Sequence, residues 1–168
     1  MKLFISGHSG SGKSTAIYRI LQELQEPFYG FWTKKYFKNF DGAAPVYLHN
    51  CRKPLCFSKE NQIGLCVDRG AECYPEVFDT LGVAALKDIP EGSLVLLDEL
   101  GFMENQALQF QKQVLELLNG NYRVIAAMKD RSTPFLDSVR CHPQVVVKNA
   151  EEAKSKEFFA YALNLLKK

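Results

Sequence analysis

The chain has 168 residues, of which 46% are hydrophobic and 24% charged, and its formal net charge is +2. This length is enough for one hydrophobic core, so we expect residues 1–168 to form a single domain. The small charge argues against a nucleic-acid partner, and the absence of a run of about 20 apolar residues argues against a membrane span. The lack of a signal peptide predicts a cytoplasmic location.

A glycine-rich loop lies between the first predicted strand, residues 3–5, and the first predicted helix, residues 15–26. It reads Gly7-His8-Ser9-Gly10-Ser11-Gly12-Lys13-Ser14-Thr15 and matches G-x-x-x-x-G-K-[ST]. Glycines let backbone amides approach an anion closely, and the helix N-terminus adds partial positive charge. The motif therefore predicts nucleotide binding, with Lys13 reaching the β- and γ-phosphates and Ser14 as a ligand of Mg²⁺.

The next part of the chain alternates poorly between apolar and polar residues. Residues 28–33 are aromatic and predict the second strand. Residues 46–48, 55–57 and 64–67 predict three brief strands, which we expect to form an antiparallel meander on one edge of the main sheet. Residues 74–86 carry apolar side chains at helical spacing and predict a helix.

Strands and helices alternate more clearly in the second half. Residues 93–97 contain four consecutive apolar residues without polar alternation, as expected of a strand buried on both faces of a parallel sheet. Further strands are predicted at 122–128 and 144–148, and further helices at 105–118, 135–139 and 150–166. This order predicts a three-layer α/β fold with a mostly parallel sheet.

Two carboxylates, Asp98 and Glu99, follow the strand predicted at 93–97. Ligands of open α/β sheets bind at the carboxyl ends of the strands, and we expect this strand to lie alongside the phosphate loop. Asp98 is predicted to serve Mg²⁺ through a water or indirectly, and Glu99 to accept a proton from an attacking water. The pair therefore favours hydrolysis over binding alone.

Residues 97–104, Leu-Asp-Glu-Leu-Gly-Phe-Met-Glu, resemble the D-E-I-G-x-M-E signature of the small P-loop nucleoside-triphosphatases, which include the cancer-related nucleoside-triphosphatase and its thermophile relatives. Residues 30–33, Gly-Phe-Trp-Thr, resemble that family's G-F-[WY]-T element. The resemblance implies a RecA-like P-loop domain that hydrolyses nucleoside 5′-triphosphates, ATP and GTP among them, to the diphosphate and phosphate with Mg²⁺. By position it implies phosphate binding by residues 7–15, a metal role for Asp98 and a base role for Glu99. Glu104, the last acid of the signature, is a further candidate catalytic residue. It would either support the residues that touch the substrate or lie at the nucleotide itself.

The chain departs from this family at three places. Lys34 and Lys35 stand where acids usually follow G-F-[WY]-T, and no R-x-G-F element is recognisable in residues 37–48. Residues 148–152 read Lys-Asn-Ala-Glu-Glu where the family tends to carry E-N-R. Lys129 and Arg131, after the strand at 122–128, are candidates to replace the missing arginine as stabilisers of charge on the transferred phosphoryl group.

Two other functions remain open at this stage. A nucleotide or small-molecule kinase uses the same loop but transfers the γ-phosphate to an acceptor, and residues 129–140 are a thin candidate for its lid. A nucleotide-switched binding module would use the basic aromatic run at 34–38 as a partner surface, although such runs are more often solvated strand edges. Trp32 and Tyr74 are candidates for stacking on the base, although such aromatics are more often core residues.

Overall fold

The computed structural model describes residues 1–36 and 42–167. In this part of the chain, one eight-stranded sheet has the order β5-β4-β3-β2-β6-β7-β1-β8. Neighbours from β2 to β8 in this order are parallel, whereas β3, β4 and β5 pair in antiparallel fashion beyond β2. The strands are β1 (Lys2–Gly7), β2 (Phe28–Lys35), β3 (Ala44–Asn50), β4 (Gln62–Val67), β5 (Gly70–Cys73), β6 (Leu94–Leu100), β7 (Arg123–Lys129) and β8 (Val145–Asn149).

Helices cover both faces of the sheet. One face carries α1 (Lys13–Leu24) and α6 (Lys156–Leu166), and the other carries α2 (Pro75–Val77), α3 (Val83–Ala85), α4 (Leu108–Asn119) and α5 (Pro134–Arg140). The predicted three-layer α/β fold, with a mostly parallel sheet and antiparallel strands added at one edge, is confirmed. Within the described ranges, no helix is both long enough and apolar enough to cross a membrane.

The strand β6 is buried on both faces, as its unbroken apolar run predicts. Leu94 and Leu96 pack in the layer of α1 and α6, whereas Val95 and Leu97 pack in the opposite layer. Burial of each such side chain stabilises the fold by about 1.5–3 kcal/mol. The strand continues through Asp98 and Glu99 to Leu100, so both carboxylates belong to the strand itself and are held by its neighbours.

The antiparallel edge corrects part of the predicted meander. The strands at 46–48 and 64–67 lie within β3 and β4, but the strand predicted at 55–57 is wrong and β5 was not predicted. The side-chain amide of Asn61 donates hydrogen bonds to the carbonyls of Leu48 and Cys56, at 3.0 and 2.9 Å. These bonds hold residues 54–57 as an exposed loop against β3 rather than as a strand.

Two helices begin later than their apolar patterns predict. The helix predicted at 150–166 starts at Lys156, because Ser155 caps it by accepting a hydrogen bond from the Phe158 amide. The helix predicted at 105–118 starts at Leu108, because the Gln111 side chain donates to the carbonyls of Glu104 and Asn105 and holds the preceding turns in place.

The helix predicted at 74–86 exists but is irregular. A π-helical turn, Phe78–Gly82, joins α2 to α3. A Cβ atom at Gly82 would lie 2.8 Å from the Phe110 ring, so glycine allows this turn to pack directly on α4. The side chain of Phe78 is thereby buried at the sheet, where it reaches the cavity described below.

Candidate active site

A cavity of about 400 Å³ lies at the carboxyl ends of the parallel strands. Its charged end is formed by the loop between β1 and α1 together with Asp98, Glu99 and Lys129. Its apolar end is formed by Val46, Ile63, Cys66, Phe78 and Met103. Thr33, Lys35, Gly101, Phe102 and Glu104 complete the wall.

The glycines of the phosphate loop meet specific conformational demands. Gly10 and Gly12 have φ angles of 78° and 94°, a region that residues with a Cβ atom rarely adopt. A Cβ atom at Gly7, the last residue of β1, would lie 2.7 Å from the Ser11 hydroxyl. The loop can therefore curl tightly into α1, which places that helix's N-terminus at the cavity.

Six of the nine residues predicted to bind nucleotide line the cavity directly: Ser9, Gly10, Gly12, Lys13, Ser14 and Thr15. Gly7, His8 and Ser11 belong to the same loop and support its shape. The carbonyls of Gly7 and His8 accept hydrogen bonds from the Lys13 ammonium at 2.9 and 2.8 Å.

Lys13 is almost fully buried, and its ammonium is compensated by three oxygens. Besides the two loop carbonyls, Oε2 of Glu99 lies 3.0 Å from Nζ. Burying an ammonium costs several kcal/mol unless it is paired, so this ring of oxygens is what allows Lys13 to lie inside the loop. The residue predicted to hold phosphate and the residue predicted to act as base are therefore in direct contact.

Ser14 and Asp98 form the second contact between the loop and β6. The Ser14 hydroxyl donates a hydrogen bond to Oδ1 of Asp98 at 3.0 Å. The end of β6 thus lies alongside the phosphate loop, as the sequence predicts, although β7 separates β6 from β1 in the sheet. The first turn of α1, which carries Ser14, makes the contact.

Burial raises the pKa of Asp98 to about 6, although the Ser14 hydrogen bond and the Lys13 charge lower it and Glu99 raises it further. A nearby cation would stabilise this buried carboxylate. Its oxygen and the Ser14 hydroxyl are hard donors, which suit Mg²⁺. In the described residues, no group of three or more His, Cys, Asp or Glu side chains could hold a metal ion by itself. Ser14 and Asp98 supply two oxygen donors, and Mg²⁺ in nucleotide sites usually takes further ligands from substrate phosphates and water.

Glu99 lies between two lysines. Its Oε1 is 2.8 Å from Nζ of Lys129, and its Oε2 faces Lys13. Lys129 is the last residue of β7, and its carbonyl accepts a hydrogen bond from Arg140 at 2.9 Å. A Cβ atom at Gly101 would lie 3.0 Å from Cγ of Lys129, so the glycine after β6 makes room for this side chain.

Arg131 is placed differently from Lys129. It is exposed and does not line the cavity, and its guanidinium carbon lies 5.2 Å from the centre of the Phe102 ring. Of the two candidates for stabilising transferred phosphate, the structure brings Lys129 to Glu99 and leaves Arg131 stacked on the outer loop.

Glu104 lies in the cavity wall and is 1% exposed. Its carboxylate accepts a hydrogen bond from the Gly101 amide and closes the turn that follows Glu99. Burial raises the pKa of Glu104 to about 7, backbone hydrogen bonds from Gly101 and Glu104 itself lower it, and the charge of Glu99 raises it. Its observed contact holds the turn after Glu99 in place.

Neither of the two aromatic candidates for base stacking lines the cavity. The Trp32 ring stacks on His49 with centroids 4.3 Å apart, and the Tyr74 hydroxyl donates to Glu72 at 3.1 Å. In the basic run at 34–38, Lys35 lines the cavity and Lys34 lies over the Tyr36 ring. The remaining positions of that run, 37 and 38, lie outside the described residues.

The apolar end was not foreseen from the sequence. Its residues come from β3, β4, the π-helical turn and the loop after β6. The apolar residues of these short segments indicated burial, but no local signal indicated which of the segments would meet around one cavity.

A family model described as NTPase matches residues 2–159 of the chain. The nucleoside-triphosphatase THEP1 of Thermotoga sp. (strain RQ2) is 27% identical over 175 residues, which cover 99% of this chain and 96% of that protein. The protein of the same name from Methanocaldococcus jannaschii is 29% identical over 138 residues and covers 76% of this chain and 78% of its own length.

Two solved structures share the fold. The crystal structure of THEP1 from Aquifex aeolicus aligns with a TM-score of 0.70 and 21% identity over the whole of both chains. The solution structure of a human cancer-related nucleoside triphosphatase aligns with a TM-score of 0.61 and 19% identity, over 97% of this chain and 93% of that one. At these identities the likeness establishes the P-loop fold.

Proposed function

The chain belongs to the NTPase family, and from this membership we propose that it hydrolyses nucleoside 5′-triphosphates, ATP and GTP among them, to the diphosphate and phosphate with Mg²⁺. The observation that carries the proposal is the position of Glu99, a carboxylate within 3.0 Å of the phosphate-loop lysine and in the wall of the same cavity. The names of the curated relatives, all nucleoside-triphosphatases, support the same reaction.

Substrate binding begins at the loop of residues 7–15. Its amides and the N-terminus of α1 attract the phosphate oxygens, and the Lys13 ammonium takes a place between the β- and γ-phosphates. The triphosphate competes with Glu99 for Lys13, because its charge is larger and closer to the loop. Substrate binding therefore draws one lysine away from Glu99.

Lys129, which contacts the other oxygen of Glu99, is also attracted by the negative charge of the triphosphate. Its ammonium can move from Oε1 to the γ-phosphate without leaving the cavity, since the Arg140 bond and the Gly101 contact hold only its backbone and stem. We assign to Lys129 the stabilisation of charge on the transferred phosphoryl group. Glu99, freed from both lysines, is then available as a base.

The chemical step is an attack of water on the γ-phosphorus. The bond from phosphorus to the bridging oxygen breaks, the diphosphate leaves with that oxygen, and the proton of the water passes to the Glu99 carboxylate and then to solvent. Transfer of this kind depends on positioning and on charge stabilisation more than on covalent catalysis by the protein.

Mg²⁺ would be held by Ser14 and Asp98 and would neutralise charge on the β- and γ-phosphate oxygens. A charge count supports this need. Above about pH 6, Lys13 and Lys129 are balanced by Asp98 and Glu99, so these four side chains together supply no excess positive charge for the polyanion. The ion would supply that excess.

Phosphate release from the ribo- and deoxyribonucleoside triphosphates, with and without Mg²⁺, tests the proposal. Glu99→Gln is expected to lower kcat by about 10²–10⁴-fold, while binding of a non-hydrolysable imido analogue of ATP, measured by calorimetry, is retained. Glu91→Gln, in the exposed turn before β6, is the matched control and should behave as wild type. Unchanged phosphate release by Glu99→Gln with nucleotide still bound would rule out Glu99 as the base.

A further inference from the structure

The apolar end of the cavity lies beyond Glu99, on the side away from the phosphate loop. The loop follows β1, Glu99 is on β6, and Val46 and Ile63 are on β3 and β4, which lie on the far side of β6 in the sheet. A path from the loop through Glu99 therefore continues into the apolar end.

This order has a consequence for the direction of attack on the γ-phosphate. The attacking and leaving oxygens stand roughly in line on opposite sides of the transferred phosphorus. If the diphosphate leaves toward the loop, the nucleophile approaches from the side of the apolar end. Under the proposed function, the attacking group and the molecule that carries it therefore lie in the apolar end of the cavity.

The apolar end is poorly matched to water alone. A bound water needs two to four polar partners, and the apolar side chains at this end of the cavity offer none. Val46, Ile63 and Phe78 are 8%, 2% and 1% exposed, and all three are apolar. A wall of this kind favours an apolar molecular body over solvent.

Glu104 is a polar group of this wall, together with Thr33 and Lys35 on β2. It is buried beside the apolar residues, and its pKa of about 7 lets it either donate or accept a hydrogen bond near neutral pH. Glu99, at the junction of the two ends, is placed to take a proton from a hydroxyl group as readily as from water.

We propose that the apolar end binds a small hydroxyl-bearing molecule with an apolar body and that the enzyme transfers the γ-phosphoryl group to it. This inference rests on the proposed function, since it uses the same loop, lysines and base. The hydroxyl oxygen bonds to the γ-phosphorus as the bridging oxygen leaves with the diphosphate, and the hydroxyl proton passes to Glu99. The products are a phosphate monoester and a nucleoside diphosphate, and hydrolysis is the reaction when the compartment holds only water.

The experiment follows transfer from ATP and Mg²⁺ to two probe alcohols by ³¹P NMR, which separates phosphate monoesters from inorganic phosphate. Benzyl alcohol has an apolar body that fits the compartment, and glycerol at the same concentration has none. Burial of the phenyl group predicts about tenfold more ester from benzyl alcohol than from glycerol.

A matched pair of variants tests the location. Cys66→Phe fills the apolar end at a half-buried position, whereas Cys141→Phe makes the same change at an exposed position after α5, beside the opposite edge of the sheet. Cys66→Phe is expected to lower the ratio of benzyl phosphate to inorganic phosphate by about tenfold, and Cys141→Phe to leave it unchanged. Cys66→Leu, a smaller change with the same expected direction, serves if the phenylalanine variant does not fold.

The outcomes separate this inference from the function on which it rests. If wild type releases inorganic phosphate but forms no ester, the apolar end does not bind an acceptor for transfer, and the proposed hydrolysis is unaffected. Equal ester from the two alcohols, or a ratio that falls no further in the Cys66 variants than in Cys141→Phe, overturns this inference as well. Loss of both products from wild type rejects the proposed function itself.

Discussion

The two ends of the cavity are built on different physical terms. At the charged end, Lys13, Ser14, Asp98, Glu99 and Lys129 each have a partner within 3.0 Å, so these groups are already engaged with one another before substrate arrives. At the apolar end the wall is held by packing. A triphosphate must therefore displace existing ion pairs at one end, whereas a ligand at the other end meets side chains that are held by apolar packing.

The largest effect is expected from breaking the charged end. Lys13→Ala removes the ammonium that contacts the loop, Glu99 and, in our proposal, two phosphates, so kcat/KM should fall by about 10³-fold. Steady-state phosphate release measures it. Lys112→Ala is the control, because this exposed lysine makes only a surface pair with Glu116 at 3.8 Å. A Lys13→Ala enzyme within tenfold of wild type would refute the assignment.

Glu104 tests the contrast between the two ends of the cavity, because it is an acidic residue in the wall that they share. Its pKa is raised from 4.5 to about 7, so the folded state holds a proton that the unfolded state has lost in this range. The free energy of unfolding should therefore fall as pH rises from about 5 to 8, by on the order of 3 kcal/mol from this group. Glu104→Gln keeps an oxygen for the Gly101 amide and should flatten the curve.

Urea unfolding at pH 5 and pH 8 measures this difference. The raised pKa of Asp98, about 6, contributes a fall of the same sign in both proteins and mostly at the lower end of the range. The comparison of wild type with Glu104→Gln therefore isolates Glu104. Parallel pH dependence in the two proteins would show that this carboxyl is not held protonated by burial.

A smaller loss of activity is expected from replacing Lys129, at the charged end of the cavity. Lys129→Met should lower kcat by about 10–100-fold with little change in KM, because the proposed contact strengthens only as charge develops on the phosphoryl group. Arg131→Met should stay close to wild type, since Arg131 stacks on Phe102 outside the cavity. The reverse result, loss with Arg131→Met alone, would mean that Arg131 moves into the site and that Lys129 only positions Glu99.

The charged end was largely predictable because its residues belong to short motifs. Residue spacing and a preceding predicted strand were enough to recognise both motifs, the loop of residues 7–15 and the pair Asp98-Glu99. Lys129 was named together with Arg131, and the sequence could not choose between them. The choice depends on Gly101, which leaves room for the Lys129 stem, and on Arg140, which binds the Lys129 carbonyl.

The apolar end was not predictable because its residues are distant in the chain. The strand predicted at 55–57 was wrong, and its failure is instructive, since Asn61 binds the Cys56 carbonyl that a strand would have used. With that segment misread, the pairing of β3 with β4 and the position of Ile63 over the cavity were out of reach. A pattern of apolar residues indicates which side chains are buried, but it does not indicate which other segment they pack against.

By itself the sequence determined the layered α/β architecture, the phosphate loop and the two carboxylates, because each depends on local spacing and on the periodicity of apolar side chains. The tertiary structure alone decided that β7 separates β1 from β6, that two lysines hold Glu99, and that the cavity continues past Glu99 between β3, β4 and Phe78. These features depend on strand order and on side-chain packing between distant segments, which no local pattern encodes.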